Sequence, residues 1–333
     1  MKLRHACLFL AACSLLLAPG GLTSATLSSH ADGPVVTATA ELLETGSASK
    51  LAAERASAEG VATPTELKFV SYNIRYRHGE DLQRLIALLK TDAEIGGASV
   101  IGLQEVDRSK KRTKFTNTAR VLAEALGMHY VWAAPPNARP KDAAKTKAVK
   151  NVKKDDDDGD DDNGGGSKEE EETGVAILSR YPLSDVSRLV LAHEGPNRRR
   201  RAAVGATVRV GREEVRFYSV HAETRMPVER KVEHWRTVLE DLAQHARLRR
   251  VAVVGDFNTI KGKDVAAARK LFTDAGFVTP FEDDRATFKV VFFDFKLDWI
   301  WLRGLRPVAH GIDKSIGLSD HWPLWVTVKL SDG

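Results

Sequence analysis

Acidic and amide residues recur in this 333-residue chain at the points where short apolar runs stop. Asn73 closes the run from Leu67, and Glu105 closes the run from Ser99. Asp256 and Asn258 follow Val251–Gly255, Asp298 opens the run that ends at Leu302, and Asp320 and His321 stand just before Trp325–Leu330. Any one of these alone would be a turn residue or a strand cap. Several of them at the ends of adjacent strands would crowd carboxylates onto one rim. Hard oxygen donors of that kind suit Mg²⁺, with Mn²⁺ as the alternative, better than zinc. A cation held by only a few protein groups keeps positions open for a phosphate oxygen.

The elements that must position these residues are mostly strands. Leu67–Asn73, Ser99–Glu105, Gly174–Ser179, Val215–Val220, Val251–Gly255, Leu297–Leu302 and Trp325–Leu330 read as buried strands. Between the first two, Leu82, Leu85, Ile86, Leu88 and Leu89 fall at helical spacing, which predicts an amphipathic helix over Glu80–Lys90. A longer helix is expected from Val228 to about Arg247. Many short strands with a few helices predict an α/β fold of two packed sheets flanked by helices, as one domain over residues 65–331. Trp299, Trp301, Trp322 and Trp325 read as core rather than as base-stacking platforms. His78, His129, His193, His234, His245 and His310 have no second ligand at useful spacing and read as surface or core.

The ends of the chain and one internal stretch stand apart. Lys2, Arg4 and His5 precede an uncharged run from Ala6 to Ala18, followed by small residues up to Ala25. That order is that of a secretory signal peptide, so residues 1–25 are expected to be cleaved near Ala25, placing the protein outside the cytoplasm, secreted or periplasmic. Leu10-Ala11-Ala12-Cys13 also matches a lipoprotein box, but the apolar run continues past the cysteine, so anchoring at Cys13 is the lesser reading. Cleavage would remove both cysteines, Cys7 and Cys13, and with them any disulfide scaffold, Cys-ligated zinc or thiol nucleophile. Residues 26–64 carry few large apolar side chains and read as a flexible leader. Residues 139–172 carry twelve acidic against eight basic residues and a Gly-rich stretch, and read as a disordered insertion. An EF-hand frame fails around both Gly159 and Gly165.

The acidic leader and insertion leave the rest of the chain more basic than its net +5, which favours anionic partners. The run Arg198–Arg201 ahead of a strand at Ala202 reads first as a solvated turn, and as a phosphate patch second, with Arg198, Arg199 and Arg200 as the candidate contacts. Gly255–Lys263 has the wrong spacing for a Walker A loop, so no nucleotide-cofactor site is expected.

Taken together, Ser71-Tyr-Asn-Ile74, Gln104-Glu-Val-Asp107, Gly174-Val-Ala-Ile-Leu-Ser-Arg180, Ser219-Val-His-Ala222, Gly255-Asp-Phe-Asn258, Leu297-Asp-Trp-Ile300 and Ser319-Asp-His321 resemble, in order and spacing, the endonuclease/exonuclease/phosphatase superfamily. That group includes deoxyribonuclease I, exonuclease III, inositol polyphosphate 5-phosphatases and bacterial sphingomyelinases. The resemblance spans about Leu67 to Leu330. It implies a four-layer α-β-β-α sandwich of two mixed sheets and hydrolysis of phosphoesters with a divalent metal. It also implies that Glu105 is the principal metal ligand, with Asn73 and Asp320 near the metal. Asp256 would activate the attacking water, Asn258 would hydrogen-bond a phosphate oxygen, and His321 paired with Asp298 would bind phosphate or act as acid/base. His221, in Val-His where the family has Thr-His, would contact the scissile phosphate, and with His321 would make two cationic donors beside the metal.

The expectation is therefore a secreted, metal-dependent phosphoesterase acting by in-line attack of water, a monomer with no evident protein partner. Its substrate would be an anionic phosphoester. Nucleic acid is placed slightly ahead of a phospholipid head group such as that of sphingomyelin, or a small phosphate ester, on the basic charge of the folded body, since the motifs themselves do not carry substrate choice. An inactive binding module of the same fold is the competing class. The retention of Glu105, Asp256 and His321 argues against it.

Overall fold

The computed structural model describes residues 42–48, 63–136, 172–281, 286–289 and 295–330. The first half of the chain supplies β1 (Leu43–Ser47), β2 (Glu66–Asn73), α1 (Gly79–Thr91), β3 (Val100–Arg108), α2 (Thr118–Leu126), β4 (His129–Ala133) and β5 (Glu172–Ser179). The second half supplies β6 (Leu183–Val190), β7 (Ala202–Val210), β8 (Glu213–His221), α3 (Val228–Gln244), β9 (Arg250–Asp256), α4 (Gly262–Asp274), β10 (Asp298–Arg303), β11 (Arg306–Ile312) and β12 (Leu324–Lys329). The strands form a seven-stranded sheet in the order β1-β4-β5-β3-β2-β12-β11 and a five-stranded sheet in the order β10-β9-β8-β7-β6.

Side chains alternate across each strand, so both faces of both sheets must be covered. Phe69 and Val100 of the larger sheet meet Phe217, Val254 and Ile300 of the smaller one in a shared core. Gly102 lets the sheets close, since a Cβ there would lie 2.4 Å from Val254 Cγ2. On the far face of the larger sheet, Tyr72, Ile101 and Leu103 pack against Leu82, Leu85 and Leu89 of α1 and Leu122 of α2. On the far face of the smaller sheet, Val253 and Trp299 pack against Trp235 and Val238 of α3 and Phe272 of α4. The result is the helix–sheet–sheet–helix sandwich expected from the sequence. Trp299 and Trp301 are fully buried, stacked at 4.8 Å, with Trp301 on Phe272 at 5.1 Å, so these two are core.

Each sheet contains one parallel pair, β2 with β3 and β8 with β9, linked by α1 and α3 respectively. Parallel neighbours end on the same side, and here all four strands bring their carboxyl ends to one rim. Antiparallel partners complete it. Asp298 at the start of β10 is in register with Asp256 at the end of β9, and Leu324 at the start of β12 pairs with Ser71, which puts the preceding residues beside the end of β2.

Three boundaries differ from the sequence reading. Part of the expected flexible leader is β1, an edge strand paired with β4 from Leu43↔Ala133 to Ser47↔His129. Its anchor is polar: Glu44 accepts hydrogen bonds from Asn117 (2.9 Å), Arg120 (2.7 Å), Arg108 (3.3 Å) and the Tyr130 hydroxyl. Apolar content alone therefore underestimated its order. Glu172, counted with the insertion, begins β5, is buried and pairs with Arg108. Finally, α3 ends at Gln244, and α2, α4, β4, β6 and β11 carried no clear signal. The expected signal segment, the Cys13 box and residues 139–171 lie outside the described residues.

Candidate active site

Local backbone features aim the side chains at the rim. Glu105 sits at a bulge where the β3–β5 register shifts between Gln104 and Val106, with φ 55°. A left-handed conformation is costly for a non-glycine residue, and a bulge is a common way to redirect one side chain. The Tyr76 N–H donates to the Glu105 carbonyl at 2.9 Å and holds the conformation. Gly255 has φ 142°, and a Cβ there would lie 2.0 Å from the Val220 carbonyl oxygen, so only glycine lets β9 approach β8 just before Asp256. Asn258, at φ 53°, donates its N–H to Asp256 Oδ1 (2.9 Å) and its Nδ2 to the Ala222 carbonyl (2.9 Å). Lys231 of α3, itself buried, donates to the Asn258 carbonyl at 2.6 Å and to Asp264 at 3.0 Å, fixing this turn from behind.

The polar groups then converge. Asn73 Nδ2 donates to Glu105 Oε1 at 3.1 Å and Asp256 Oδ2 at 3.2 Å. Asp256 Oδ2 is 3.6 Å from His221 Nε2 and 3.8 Å from His321 Nε2, and His221 Nε2 is 3.9 Å from Glu105 Oε1. Behind this group the His321 Nδ1 lies 2.8 Å from Asp298 Oδ2. The pair is stitched by Thr287, whose Oγ1 accepts from the Asp298 N–H (3.0 Å) and whose carbonyl accepts from the Trp322 N–H (2.8 Å). The Phe288 ring meets His321 edge-on at 4.8 Å.

The pocket in front has a volume of about 240 Å³. Glu105, His221, Asp256, Asn258, Asp320 and His321 line it, with Ile260, Phe288, Phe295 and Leu297 as an apolar wall. Burial dominates the electrostatics. It raises the Asp256 carboxyl, against the nearby His321, because a desolvated carboxylate is costly. Burial also opposes charge on His321, but the Asp298 and Asp256 carboxylates overcome it and raise this imidazole well above its usual range. His221 goes the other way: burial, then Arg201 and Arg199, hold it neutral. Only one of the two histidines expected as cationic donors therefore carries charge.

The structure gathers Asn73, Glu105, His221, Asp256, Asn258, Asp298, Asp320 and His321 on this rim, though Asp320 is held by Arg75 at 2.9 Å. The arginine run divides. Arg199 lines the pocket; Arg200 pairs instead with Glu194 at 2.9 Å, and Arg198 is exposed in a short turn away from the pocket lining. Arg201, the last residue of the run, lines the pocket and pairs with Glu223 at 2.9 Å. Residues two apart share a side in extended chain, and that alternation was the available signal. Arg75, Tyr76, Arg112 and Thr173 also line the pocket; Arg112 lies over the Tyr76 ring at 3.7 Å and grips Asp107 through two hydrogen bonds of 2.8 and 3.0 Å. Nothing local in the sequence marked them.

The donor set fits a hard divalent cation. Donor atoms of Asp256, Asp298 and His321 lie within 4.8 Å of one another and could hold one. Asp298 Oδ1 is buried without a hydrogen-bond partner. Asp298 Oδ2 is nevertheless committed to His321 and the residue does not line the pocket, whereas Glu105, Asp256 and Asp320 do, Asp320 with its oxygens met by Arg75 and Ser319.

Residues 70–321 match the model of the endonuclease/exonuclease/phosphatase family. No curated protein matches the chain by sequence. Solved structures share the fold at low identity. An endonuclease/exonuclease/phosphatase from Beutenbergia cavernae DSM 12333 has a TM-score of 0.58 at 16% identity, over 80% of this chain and 72% of that one. The human Nocturnin catalytic domain with bound sulfate has 0.57 at 16% identity, over 80% and 94%. A humanized D. rerio TDP2 has 0.53 at 16% identity, over 80% and 100%.

Proposed function

The chain belongs to the endonuclease/exonuclease/phosphatase family, and from that premise we propose that it is a secreted, Mg²⁺-dependent phosphodiesterase with nucleic acid as its leading substrate. The observation that carries this reading is the meeting of Glu105, Asn73, Asp256, His221 and His321 on one rim, with Asp298 behind His321. Export is inferred from the basic, apolar and small residues of the first 25 positions.

Glu105 is the principal ligand in this reading, with Asn73 and Asp320 beside it, and a bound Mg²⁺ would supply positive charge against the phosphate oxygens. The chain's own groups do the rest. Asp256, its Oδ1 fixed by the Asn258 N–H, turns Oδ2 toward the pocket to orient water and take its proton. The raised Asp256 carboxyl suits a general base working near neutrality. His321, kept protonated by Asp298, donates from Nε2 to a phosphate oxygen or to the departing oxygen. Neutral His221 and the second amide hydrogen of Asn258 complete a set of donors around the phosphate. Arg199 and Arg201 add charge on the His221 side.

The apolar wall of Ile260, Phe288, Phe295 and Leu297 supports a second reading, a phosphoester with an apolar substituent such as a phospholipid. Hydrolysis of bis-p-nitrophenyl phosphate with Mg²⁺ and with EDTA tests the reaction class. Activity is expected to vanish in EDTA, to fall about two to four decades in Asp256→Asn, and to need more Mg²⁺ in Glu105→Gln. Turnover that ignores both EDTA and Asp256→Asn would reject the reading.

A further inference from the structure

We propose that a basic groove continuing from the catalytic pocket, along the starts of α3 and α4, holds the phosphates that follow the scissile one, so that the substrate is a strand of nucleic acid. This rests on the phosphodiesterase reading above and narrows it. The groove has a volume of about 570 Å³, and Thr224 and Ile260 line both it and the catalytic pocket, so the two are continuous. Arg225, Lys261 and Lys263 line it and are exposed.

What sets these three apart is the absence of an answering carboxylate. Around the catalytic pocket, Arg75 is matched by Asp320, Arg112 by Asp107 and Arg201 by Glu223. Arg225, Lys261 and Lys263 form no ion pair among the described residues. The one carboxylate lining the groove, Asp264, is buried and already taken by Lys231 (3.0 Å) and by the Lys261 N–H (3.2 Å). The groove therefore presents three cations with no internal neutralisation. The start of α3 borders the same space through Pro227 and Val228 with no capping side chain, and Glu229 in its first turn answers part of that end's partial positive charge.

A substrate with a single phosphate would leave this charge unanswered, whereas a strand places successive phosphates along it. A membrane surface would call for exposed apolar side chains beside the cations. The exposed large hydrophobics among the described residues are Phe115, Val278 and Val308, and none lines the groove. The observations favour a strand.

The test compares the Mg²⁺-loaded protein with a variant carrying Arg225→Ala, Lys261→Ala and Lys263→Ala. The substrates are a thymidine oligonucleotide, a thymidine dinucleotide with one phosphodiester, and bis-p-nitrophenyl phosphate. KM for the oligonucleotide is expected to rise about tenfold or more, and the slope of log affinity against log salt to flatten by roughly 2, at about 0.7 per lost phosphate contact. Turnover of the two single-phosphate substrates should stay unchanged, and Lys261→Arg with Lys263→Arg should keep oligonucleotide affinity. An unchanged oligonucleotide KM, an equal loss on all three substrates, or a loss confined to binding of phosphatidylglycerol vesicles would each overturn the proposal. Failure of the unsubstituted protein to hydrolyse bis-p-nitrophenyl phosphate would instead reject the underlying phosphodiesterase reading, and the groove's role with it.

Discussion

Replacing Asp298 by Asn tests the electrostatic core of the site, because in the proposed mechanism Asp298 acts only through His321. The carboxylate lies 2.8 Å from His321 Nδ1, and both residues are buried. Burial opposes the imidazolium, and Asp298, then Asp256, overcome that and push the histidine from 6.5 up to about 10. At about 1.4 kcal/mol for each tenfold, this amounts to roughly 5 kcal/mol in favour of the charged ring. Asn can still accept from Nδ1–H, so the geometry survives while the largest charge holding the proton is gone. Burial is then opposed mainly by Asp256, the lesser of the two charges, and His321 should be largely neutral at pH 7. If the imidazolium stabilises the phosphate or protonates the leaving oxygen, kcat should fall about two to four decades. The assay is steady-state hydrolysis of bis-p-nitrophenyl phosphate by four proteins: unsubstituted, Asp298→Asn, His321→Ala and the double variant. The two residues act as one unit, so the double variant should be little slower than His321→Ala alone. Ring ¹⁵N spectra should show His321 charged in the parent and neutral in Asp298→Asn. A single variant within about threefold of the parent, or strictly additive losses, would refute the dyad.

Three further predictions concern stability. Burial lowers His234 from 6.5 to about 4, so the folded state prefers it neutral. Its contribution is complete above pH 6.5 and is lost as the pH falls from there toward 4, about 3 kcal/mol in all. His234→Asn keeps an acceptor for the Glu223 N–H, which now reaches Nδ1 at 3.4 Å, and should flatten the acid limb of a Tm-against-pH plot; parallel curves for parent and variant would contradict this. Glu172→Gln should destabilise by about 1–3 kcal/mol in urea unfolding, because Arg108 loses a buried opposing charge while keeping Glu44. Removing residues 139–171 should instead leave a cooperative melt, since β4 and β5 are antiparallel neighbours with Ala133 opposite Val175, which a short loop can join. A melt abolished by the deletion would count against that.

The gathering of the candidate residues was legible because they sit at the ends of strands that announce themselves. Buried strands such as Val251–Gly255 leave a local signature, and the residues just beyond them must lie at a sheet edge. Asn73, Glu105, Asp256 and His321 were found that way and by their resemblance to the family, and they meet within hydrogen-bonding reach or close to it. The elements missed were those whose order comes from distant partners. β1 has few large apolar side chains and is held by the β4 ladder and by four donors converging on Glu44.

By itself the sequence determined which residue types stand at each strand end, and hence that the chain could assemble carboxylates, amides and histidines for phosphoester chemistry. Those features are local, since apolar runs, breaks and polar terminators depend on neighbours in the chain. Only the tertiary structure decided which of them share charge. The bulge at Glu105, the close approach at Gly255 and the position of Asp298 behind His321 all arise between strands far apart in sequence. So does the sorting of the arginine run, in which Arg199 and Arg201 reach the pocket while Arg200 turns to Glu194. The protonation of His321 and the neutrality of His221 come from that arrangement, because burial and the charges within a few ångströms set them, and neither is encoded in the order of residues along the chain.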